Sequence, residues 1–332
     1  MTSARPADGP GGDRRTAFVF PGQGSQRVGM GRDLLERYPA IVEPIFRTAD
    51  EALGFELSDL CWNGPEERLR STEITQPAIF VTSLAAFQVL TAEVPRPDVV
   101  AGHSLGEYTA LVAAGVLDWL DALALVRRRG LLMAGVQATT PGAMAAVIGP
   151  AAEQVEDLCA AARDASGEVV EVANFNDDTQ TVVSGTVAGV EAFGERLRAE
   201  RIPGAKVVRL DVGAPFHCSL MSAVEDEFAA DLAEVEFADP AVTVVANTTA
   251  LPVTTGEEAR AALRAQLAGS VRWRQSLTTI VGLGVETFVE VGPGRVLSGL
   301  GRRSYPDLPS YSTADARRTD QAIAALLPVT TG

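Results

Sequence analysis

Short apolar runs separated by helix-like segments dominate the chain. Residues 16–20 (TAFVF) form an apolar run that ends at a Pro-Gly pair, which is typical of a strand entering a turn. Residues 98–101 (DVVA) form a second run, and apolar positions at helical spacing follow it after a short turn. The runs at 242–246 and 287–291 predict two further buried strands. Strands that alternate with helices in this way indicate a mainly parallel α/β sheet.

The middle of the chain has a different pattern. Between residues 138 and 212 the predicted order is strand, helix, strand, strand, helix, strand, which is that of a ferredoxin-like unit. Because strand-like material resumes afterwards, we interpret 138–212 as an insertion in a larger domain formed by 16–137 and 213–320. Residues 1–15 are rich in Pro, Gly and Asp and lack an apolar segment, so we expect a disordered tail there.

One long uncharged stretch, residues 74–92, raises the question of a membrane helix. Polar side chains and a proline interrupt it, and a helix that spans a membrane tolerates few such groups. We therefore expect a loop followed by a buried core helix, with no membrane partner. A cytoplasmic protein is the corresponding expectation.

The composition excludes several functional classes. The chain is 46% hydrophobic and 21% charged, which is ordinary for a protein with a buried core. Its 28 basic and 43 acidic residues give a net charge of −15, which argues against a nucleic-acid partner. Lys206 is the only lysine, and neither a P-loop nor a Schiff-base motif surrounds it. Cys61, Cys159 and Cys218 are odd in number and far apart, which favours reduced thiols and, with two histidines, makes a metal site unexpected.

The sequence Gly102-His-Ser-Leu-Gly106 has the form G-x-S-x-G, with an apolar strand before it and a helix after it. That context is the one a nucleophile elbow requires, because the sharp turn lifts the serine hydroxyl clear of the sheet. The backbone N–H of Leu105, at the start of the helix, is then able to face a developing oxyanion. The alternative is a plain strand–turn–helix corner with an exposed serine. The context favours Ser104 as a nucleophile.

A nucleophilic serine needs a base, and the chain has two histidines. His103 precedes the serine at a strand end, so we expect it to point to the other side of the chain and to pack structurally. His217, in a loop that follows the last strand of the insertion, is the base by elimination. Gly22 and Gly24 do not complete a dinucleotide-binding motif, but they allow the backbone N–H of Gln23 to complete an oxyanion hole.

Several motifs occur together in a characteristic order. They are Phe20-Pro-Gly-Gln-Gly-Ser-Gln26, Gly102-His-Ser-Leu-Gly-Glu107, Arg129-Gly130, Asn174-Phe-Asn176, Pro215-Phe-His-Cys-Ser-Leu-Met221 and Val291-Gly-Pro-Gly294. In combination they resemble the malonyl-CoA:acyl-carrier-protein transacylases and the related acyltransferases of polyketide synthases, over roughly residues 16–303. The resemblance implies an α/β-hydrolase-like large domain with an inserted ferredoxin-like small subdomain. One departure is the segment 176–179 (NDDT), where the family often has Ser or Cys and then Pro.

The resemblance also implies roles for particular residues. It makes Ser104 the nucleophile and His217 its base, with the backbone amides of Gln23 and Leu105 as the oxyanion hole. Arg129 matches the arginine that holds the free carboxylate of the substrate.

Two further assignments concern the histidine and its neighbour. Gln266 matches a glutamine whose backbone carbonyl orients the histidine. Phe216 resembles the residue of malonyl-type enzymes, because a large ring next to the histidine leaves little room for a 2-methyl branch. Arg127 and Arg128 are expected to be charges on the surface of a helix.

The implied activity is a ping-pong acyl transfer with no bound cofactor and no metal. Malonyl-CoA is the expected acyl donor, and the phosphopantetheine thiol of an acyl carrier protein is the acceptor, for polyketide or fatty-acid synthesis. We expect the carrier protein to dock on Arg302 and Arg303. The alternatives are a serine esterase or thioesterase in which an acid such as Asp211 orients His217, an acyltransferase for an unusual acyl unit, and a non-catalytic acyltransferase-like module.

Overall fold

A computed structural model describes residues 14–327, so the tail expected at 1–15 lies outside the described residues apart from its last two positions. The described strands are β1 (Thr16–Phe20), β2 (Val99–Gly102), β3 (Gly142–Ile148), β4 (Val170–Asp177), β5 (Gln180–Thr186), β6 (Lys206–Arg209), β7 (Thr243–Val245), β8 (Pro252–Val253), β9 (Thr287–Glu290) and β10 (Ser310–Ser312). The first seven helices are α1 (Arg32–Arg37), α2 (Pro39–Leu53), α3 (Leu57–Asn63), α4 (Glu66–Arg70), α5 (Thr72–Glu93), α6 (Gly106–Ala113) and α7 (Trp119–Thr139). The others are α8 (Ala152–Ser166), α9 (Val187–Glu200), α10 (Ser222–Ala233), α11 (Gly256–Gln266), α12 (Trp273–Gly282), α13 (Val296–Ser304) and α14 (Ala316–Leu326), with one turn of 3-10 helix at Ser219–Met221.

The larger sheet has six strands in the order β10-β9-β1-β2-β7-β8. Its first five strands are parallel and β8 is antiparallel to β7, as expected for a mainly parallel sheet. Strand β1 is buried on both faces: Phe18 and Phe20 join the core cluster on one side, whereas Ala17 and Val19 join the cluster on the other. Helices cover both faces of such a sheet, which explains why its strands are continuous apolar runs in the sequence.

The smaller sheet has four antiparallel strands in the order β4-β5-β3-β6. With α8 and α9 between its strands, this unit has the element order and sheet order of a ferredoxin-like fold. It has a core cluster of its own, to which both helices contribute. The fold class predicted from the sequence is therefore confirmed. The division of the chain at residues 138 and 212 stays a prediction.

The smaller sheet is joined to the rest of the molecule along β4. Phe175 donates its backbone N–H to the carbonyl of Val271, and Val271 donates to the carbonyl of Ala173. Nearby, the Arg303 guanidinium binds the buried Asp177 carboxylate at 2.7 Å. These contacts hold β4 against the carboxyl-end edge of the larger sheet.

Helix α5 corrects one expectation. The structure shows no loop in the uncharged stretch, because the helix begins at Thr72 and continues through Pro77. A proline lacks the N–H that would bond to the carbonyl four residues earlier. That carbonyl, of Glu73, accepts a hydrogen bond from the Arg127 guanidinium instead, so the helix is not interrupted. By length and composition α5 could cross a membrane, but 89% of its apolar window is buried, and it is a core helix.

The parallel strands place several loops at one edge of the larger sheet. Gln23 follows β1, Ser104 follows β2, and Asn247 follows β7. The carboxyl ends of adjacent parallel strands lie side by side, so residues distant in sequence meet there. This edge, under the smaller sheet, is where the candidate site forms.

Candidate active site

Ser104 lies on a sharp turn between β2 and α6. Its φ angle is 51°, which is a left-handed conformation that a residue with a side chain rarely adopts. The turn is tight enough to require glycine on both sides. A Cβ at Gly102 would be 1.9 Å from the backbone of Gly106, and a Cβ at Gly106 would be 2.0 Å from the carbonyl oxygen of Phe20. This is the geometry expected of a nucleophile elbow.

His217 approaches the serine from the loop that follows β6. Its Nε2 lies 2.8 Å from Ser104 Oγ. Its Nδ1 lies 2.8 Å from the backbone carbonyl of Gln266 and 3.2 Å from that of Gly269. Because carbonyl oxygens only accept hydrogen bonds, Nδ1 carries the proton and Nε2 is free to accept one from the serine.

Among residues 14–327 no carboxylate contacts this histidine directly. Asp211, considered for that role, has a side chain that is 100% exposed and approaches Arg70 at 3.9 Å. The backbone carbonyls of Gln266 and Gly269 take its place. Burial lowers the pKa of His217 to about 3, and the Arg129 guanidinium adds to the decrease. The imidazole is therefore neutral at physiological pH, which is the form that accepts a proton.

Arg129 enters the site from helix α7. It shares the buried face of that helix with Val126, Met133 and Val136, at helical spacing, whereas Arg128 faces Glu227 and Asp231 at the surface. This spacing explains why only one of the three consecutive arginines reaches the site. Arg127 is more than a surface charge, since its guanidinium donates a hydrogen bond to the Glu73 carbonyl that Pro77 leaves without a helical partner in α5.

Arg129 is 1% exposed. Its Nη2 donates to Ser104 Oγ at 3.0 Å and to Gln266 Oε1 at 2.9 Å, and its Nη1 donates to Gln76 Oε1 at 2.8 Å. These partners are neutral, and Nε has no partner among the described residues. A buried cation with spare donors beside the serine is suited to an anionic group of a ligand.

Three residues of the site were not predicted from the sequence: Gln76, Asn247 and Glu107. Asn247 accepts from the Ser104 backbone N–H at 2.7 Å, and its own backbone N–H lies 3.3 Å from a carboxylate oxygen of Glu107. Glu107 also accepts from Gln266 Nε2 at 2.5 Å. A polar residue directly after a buried strand was a usable signal for Asn247. Nothing in the local sequence distinguishes Gln76.

Ser104, His217 and Arg129 line a cavity of about 440 Å³. The other predicted residues, Gln23, Leu105 and Phe216, line it, as do apolar side chains that include Met133 and Met144. All seven site residues predicted from the sequence thus lie in or directly beside one cavity, with Gln266 behind His217.

His103 packs structurally, as predicted, but it does not lie away from the site. It lines the same cavity instead of pointing away from it. Its Nε2 is 3.0 Å from Asn176 Oδ1, and its ring packs against Trp273 with 5.7 Å between the ring centroids. It is therefore held by its neighbours and leaves His217 as the partner of Ser104.

Within residues 14–327 no three His, Cys, Asp or Glu side chains are grouped so that they could hold a metal ion. Across the same part of the chain the three cysteines are all buried and unpaired.

An elbow serine with a neutral histidine at hydrogen-bond distance, at the edge of a parallel sheet, defines a class: α/β proteins built for acyl transfer. The sequence model described as acyl transferase domain matches residues 17–327. The chain therefore belongs to the acyltransferase family.

Curated relatives are similar in sequence to this chain over nearly its whole length. The chain is 43% identical over 313 residues to the malonyl CoA-acyl carrier protein transacylase of Escherichia coli K12, covering 94% of this chain and 98% of the relative. It is 42% identical over 305 residues to the enzyme of that name from Haemophilus influenzae, covering 91% and 96%.

Solved structures are similar as well. The malonyl CoA-acyl carrier protein transacylase of Coxiella burnetii superimposes with a TM-score of 0.90 at 38% identity, covering 95% of this chain and 98% of that one. A malonyl-transacylase solved in complex with a type II polyketide acyl-carrier protein gives a TM-score of 0.88 at 39% identity, covering 94% and 99%.

Proposed function

We propose that this protein transfers a malonyl group from coenzyme A to the phosphopantetheine thiol of an acyl carrier protein. The relatives named above are malonyl transacylases, and one similar structure contains a carrier protein. The setting that fits this activity is fatty-acid or polyketide synthesis in the cytoplasm. No bound cofactor is part of this proposal.

The observation that carries the choice of acyl group is the position of Arg129. Its Nη2 lies 3.0 Å from Ser104 Oγ, so an acyl group bonded to that oxygen extends directly past the guanidinium. A malonyl group has a carboxylate two carbons from its thioester carbonyl, and a planar guanidinium binds a carboxylate through two parallel hydrogen bonds. An acetyl group has no carboxylate to bind this buried cation.

In the first half-reaction, Ser104 Oγ attacks the thioester carbonyl carbon while its proton passes to His217 Nε2. The backbone amides of Gln23 and Leu105 face the oxygen on which negative charge develops. When the carbon–sulfur bond breaks, the coenzyme A sulfur takes the proton from His217. The product is a malonyl ester on Ser104.

The second half-reaction reverses these roles. The thiol of the carrier protein gives its proton to His217 and its sulfur attacks the ester carbonyl. The bond to Ser104 Oγ breaks, and that oxygen takes the proton back. Because the thiol enters where coenzyme A has left, the carrier protein must present its phosphopantetheine arm to the cavity that holds Ser104.

Two further parts of the proposal concern selectivity and organisation. Phe216 is buried beside His217 and lines the cavity, so its ring occupies space that a 2-methyl branch would need. Residues 138–212 form a subdomain inserted between 16–137 and 213–320, and the site lies between the two parts. The sheet pairing in the fold supports this division.

The expected docking of the carrier protein on Arg302 and Arg303 needs revision in one respect. Arg303 binds Asp177 and Gln180, so its side chain also ties the two parts of the molecule together. A charge reversal there would disturb that contact. Arg302, whose Nη1 has the Ser310 carbonyl at 3.4 Å as its single partner within residues 14–327, is the better position for testing carrier binding.

The test is intact-protein mass spectrometry after incubation with malonyl-CoA, methylmalonyl-CoA and acetyl-CoA in parallel. We expect one malonyl adduct on Ser104, located by peptide mapping, that a holo carrier protein removes. An adduct that water releases as free malonate at the same rate with and without carrier would indicate a thioesterase. An adduct on another residue would show that the site is assigned wrongly.

A further inference from the structure

Glu107 is a buried carboxylate next to the site that the acyl-transfer steps above do not use. It lies on α6 just after the elbow, and its backbone N–H donates to the Ser104 carbonyl at 3.0 Å. The residue is 2% exposed. A buried carboxylate is costly unless hydrogen bonds compensate it, so its partners indicate what it does.

The carboxylate connects the two segments that hold the serine and the histidine. One oxygen accepts from Gln266 Nε2 at 2.5 Å, and the backbone carbonyl of Gln266 binds His217 Nδ1 at 2.8 Å. The other oxygen lies 3.3 Å from the backbone N–H of Asn247, whose side chain accepts from the Ser104 N–H at 2.7 Å. The same side-chain amide of Gln266 also donates to the Ser104 carbonyl at 3.0 Å.

We propose that Glu107 is a positioning residue for acyl transfer, whose ionised carboxylate holds Gln266 and Asn247 so that His217 and Ser104 stay aligned. It acts through these two residues and touches neither the substrate nor the reacting atoms. The proposal rests on the proposed function, because it concerns the serine that becomes acylated. It places a carboxylate one residue further from the histidine than in a Ser-His-Asp triad.

The surroundings make this role depend on pH. The charged Arg129 guanidinium on α7 and the neighbouring Tyr108 hydroxyl act on Glu107, and Gln266 lies between Glu107 and His217. Burial raises the pKa of Glu107 to about 7, although the Gln266 and Asn247 hydrogen bonds and the Arg129 charge oppose the increase. Both hydrogen-bond partners are donors, so protonation would turn a donor toward donors.

The carboxylate is therefore present above about pH 7 and is lost as the pH falls through that value. The pKa of His217 is about 3, so this histidine does not titrate in the same range. We expect the rate of Ser104 acylation by malonyl-CoA to fall below neutral pH, and Glu107 to be the cause.

The experiment compares wild type, Glu107→Gln and Glu107→Asp. It measures single-turnover acylation by malonyl-CoA from pH 5.5 to 8.5, a range of about three units around the expected transition. Glu107→Gln keeps the shape but removes the charge, and we expect roughly 10²-fold slower acylation with no decrease near neutral pH. Glu107→Asp keeps the charge, and we expect it to be faster than Glu107→Gln at pH 8 and to retain the decrease. The KM for malonyl-CoA should change little in either variant.

Glu290→Gln is the matched control. Glu290 is similarly buried, and its hydrogen bonds come from Leu297 and Ser298 at the start of α13 instead of from the residues that hold Ser104 and His217. We expect it to alter thermal stability and to leave the acylation rate and its pH profile as in wild type.

Two results would overturn the proposal. One is a pH profile of Glu107→Gln that still shows the decrease near neutral pH. The other is that the Gln variant acylates faster than the Asp variant, which is the result expected if only the shape of the side chain matters. If Glu107→Gln does not fold, loss of the decrease in Glu107→Asp rejects the proposal. Absence of any acylation of Ser104 in wild type would instead contradict the proposed function.

Discussion

The floor and the mouth of the cavity both contain arginine, in opposite settings. The floor consists of Ser104, His217 and Arg129, which all line the cavity, and Arg129 is 1% exposed there. At the mouth, Arg70 has a side chain that is 59% exposed and pairs with Glu66 at 2.8 Å and Asp211 at 3.9 Å. Both guanidinium groups therefore have several polar partners, but water reaches Arg70 at the mouth and is excluded from Arg129 in the floor.

The difference shows that burial, more than the number of contacts, decides what a charge contributes. Water screens the pairs at the mouth, and exposed ion pairs contribute at most about 1 kcal/mol. In the floor, a buried charge whose hydrogen-bond partners are all neutral is costly, and an arriving carboxylate relieves that cost. Substitutions in the floor should therefore change the rate of acyl transfer strongly, and substitutions at the mouth should change it little. The following predictions test that contrast.

The largest effect is expected at the reacting pair. Ser104→Ala should abolish covalent acylation, because no other hydroxyl occupies the elbow. His217→Ala should slow acylation by roughly 10³-fold, since the serine loses the group that takes its proton. Rapid-quench measurement of the malonyl adduct tests both. Ser222→Ala, at the exposed start of α10, is the control and should acylate normally.

The next largest effect is expected at the arginine of the floor. Arg129→Ala should lower kcat/KM for malonyl-CoA by roughly 10²–10³-fold, because truncating one partner of a buried charge pair costs about 2–5 kcal/mol. Acetyl-CoA carries no charge and should lose little. The measurement is the ratio of the two kcat/KM values.

Arg128→Ala is the neighbouring control. Its guanidinium binds Glu227 and Asp231 at the surface, so the ratio should stay at the wild-type value. If Arg129→Ala slowed both substrates equally and lowered the melting temperature, Arg129 would only brace the helix.

A smaller effect is expected at the wall between floor and mouth. Phe216→Ser should increase the preference for methylmalonyl-CoA relative to malonyl-CoA by roughly tenfold, since a methyl-sized contact is worth about 1–3 kcal/mol. Competition between the two thioesters, followed by mass spectrometry, measures this preference. Phe216→Tyr keeps the ring and should leave it unchanged. An unchanged preference in Phe216→Ser would exclude this residue as the selectivity element.

The smallest effect is expected at the mouth. Arg70→Ala removes two exposed ion pairs and should change kcat/KM for malonyl-CoA by less than about threefold at physiological salt. Steady-state kinetics at low and high salt test this prediction. A loss as large as that of Arg129→Ala would end the distinction between the two regions.

Much of this molecule was predictable from local sequence. The spacing of Gly102, Ser104 and Gly106 implied a turn that only glycine permits, and the structure shows backbone atoms where a Cβ would lie. Apolar runs predicted the four inner strands of the larger sheet and the four strands of the smaller one, because strand burial follows a short-range pattern, but they did not predict the short edge strands β8 and β10. A loop was predicted around Pro77 because proline usually interrupts a helix. The helix continues because Arg127, on another helix, binds the carbonyl that the proline leaves free.

The sequence by itself indicated most of the elements, the elbow and the two residues proposed to react, since these depend on neighbours in the chain or on a histidine count of two. Only the tertiary structure decided which groups support them. The parallel order of β1, β2 and β7 brings Asn247 to the Ser104 amide, and the packing of α5 on α7 brings Gln76 to Arg129. Such contacts join residues far apart in sequence, and their energies arise from burial, a property of the whole fold that no local pattern encodes.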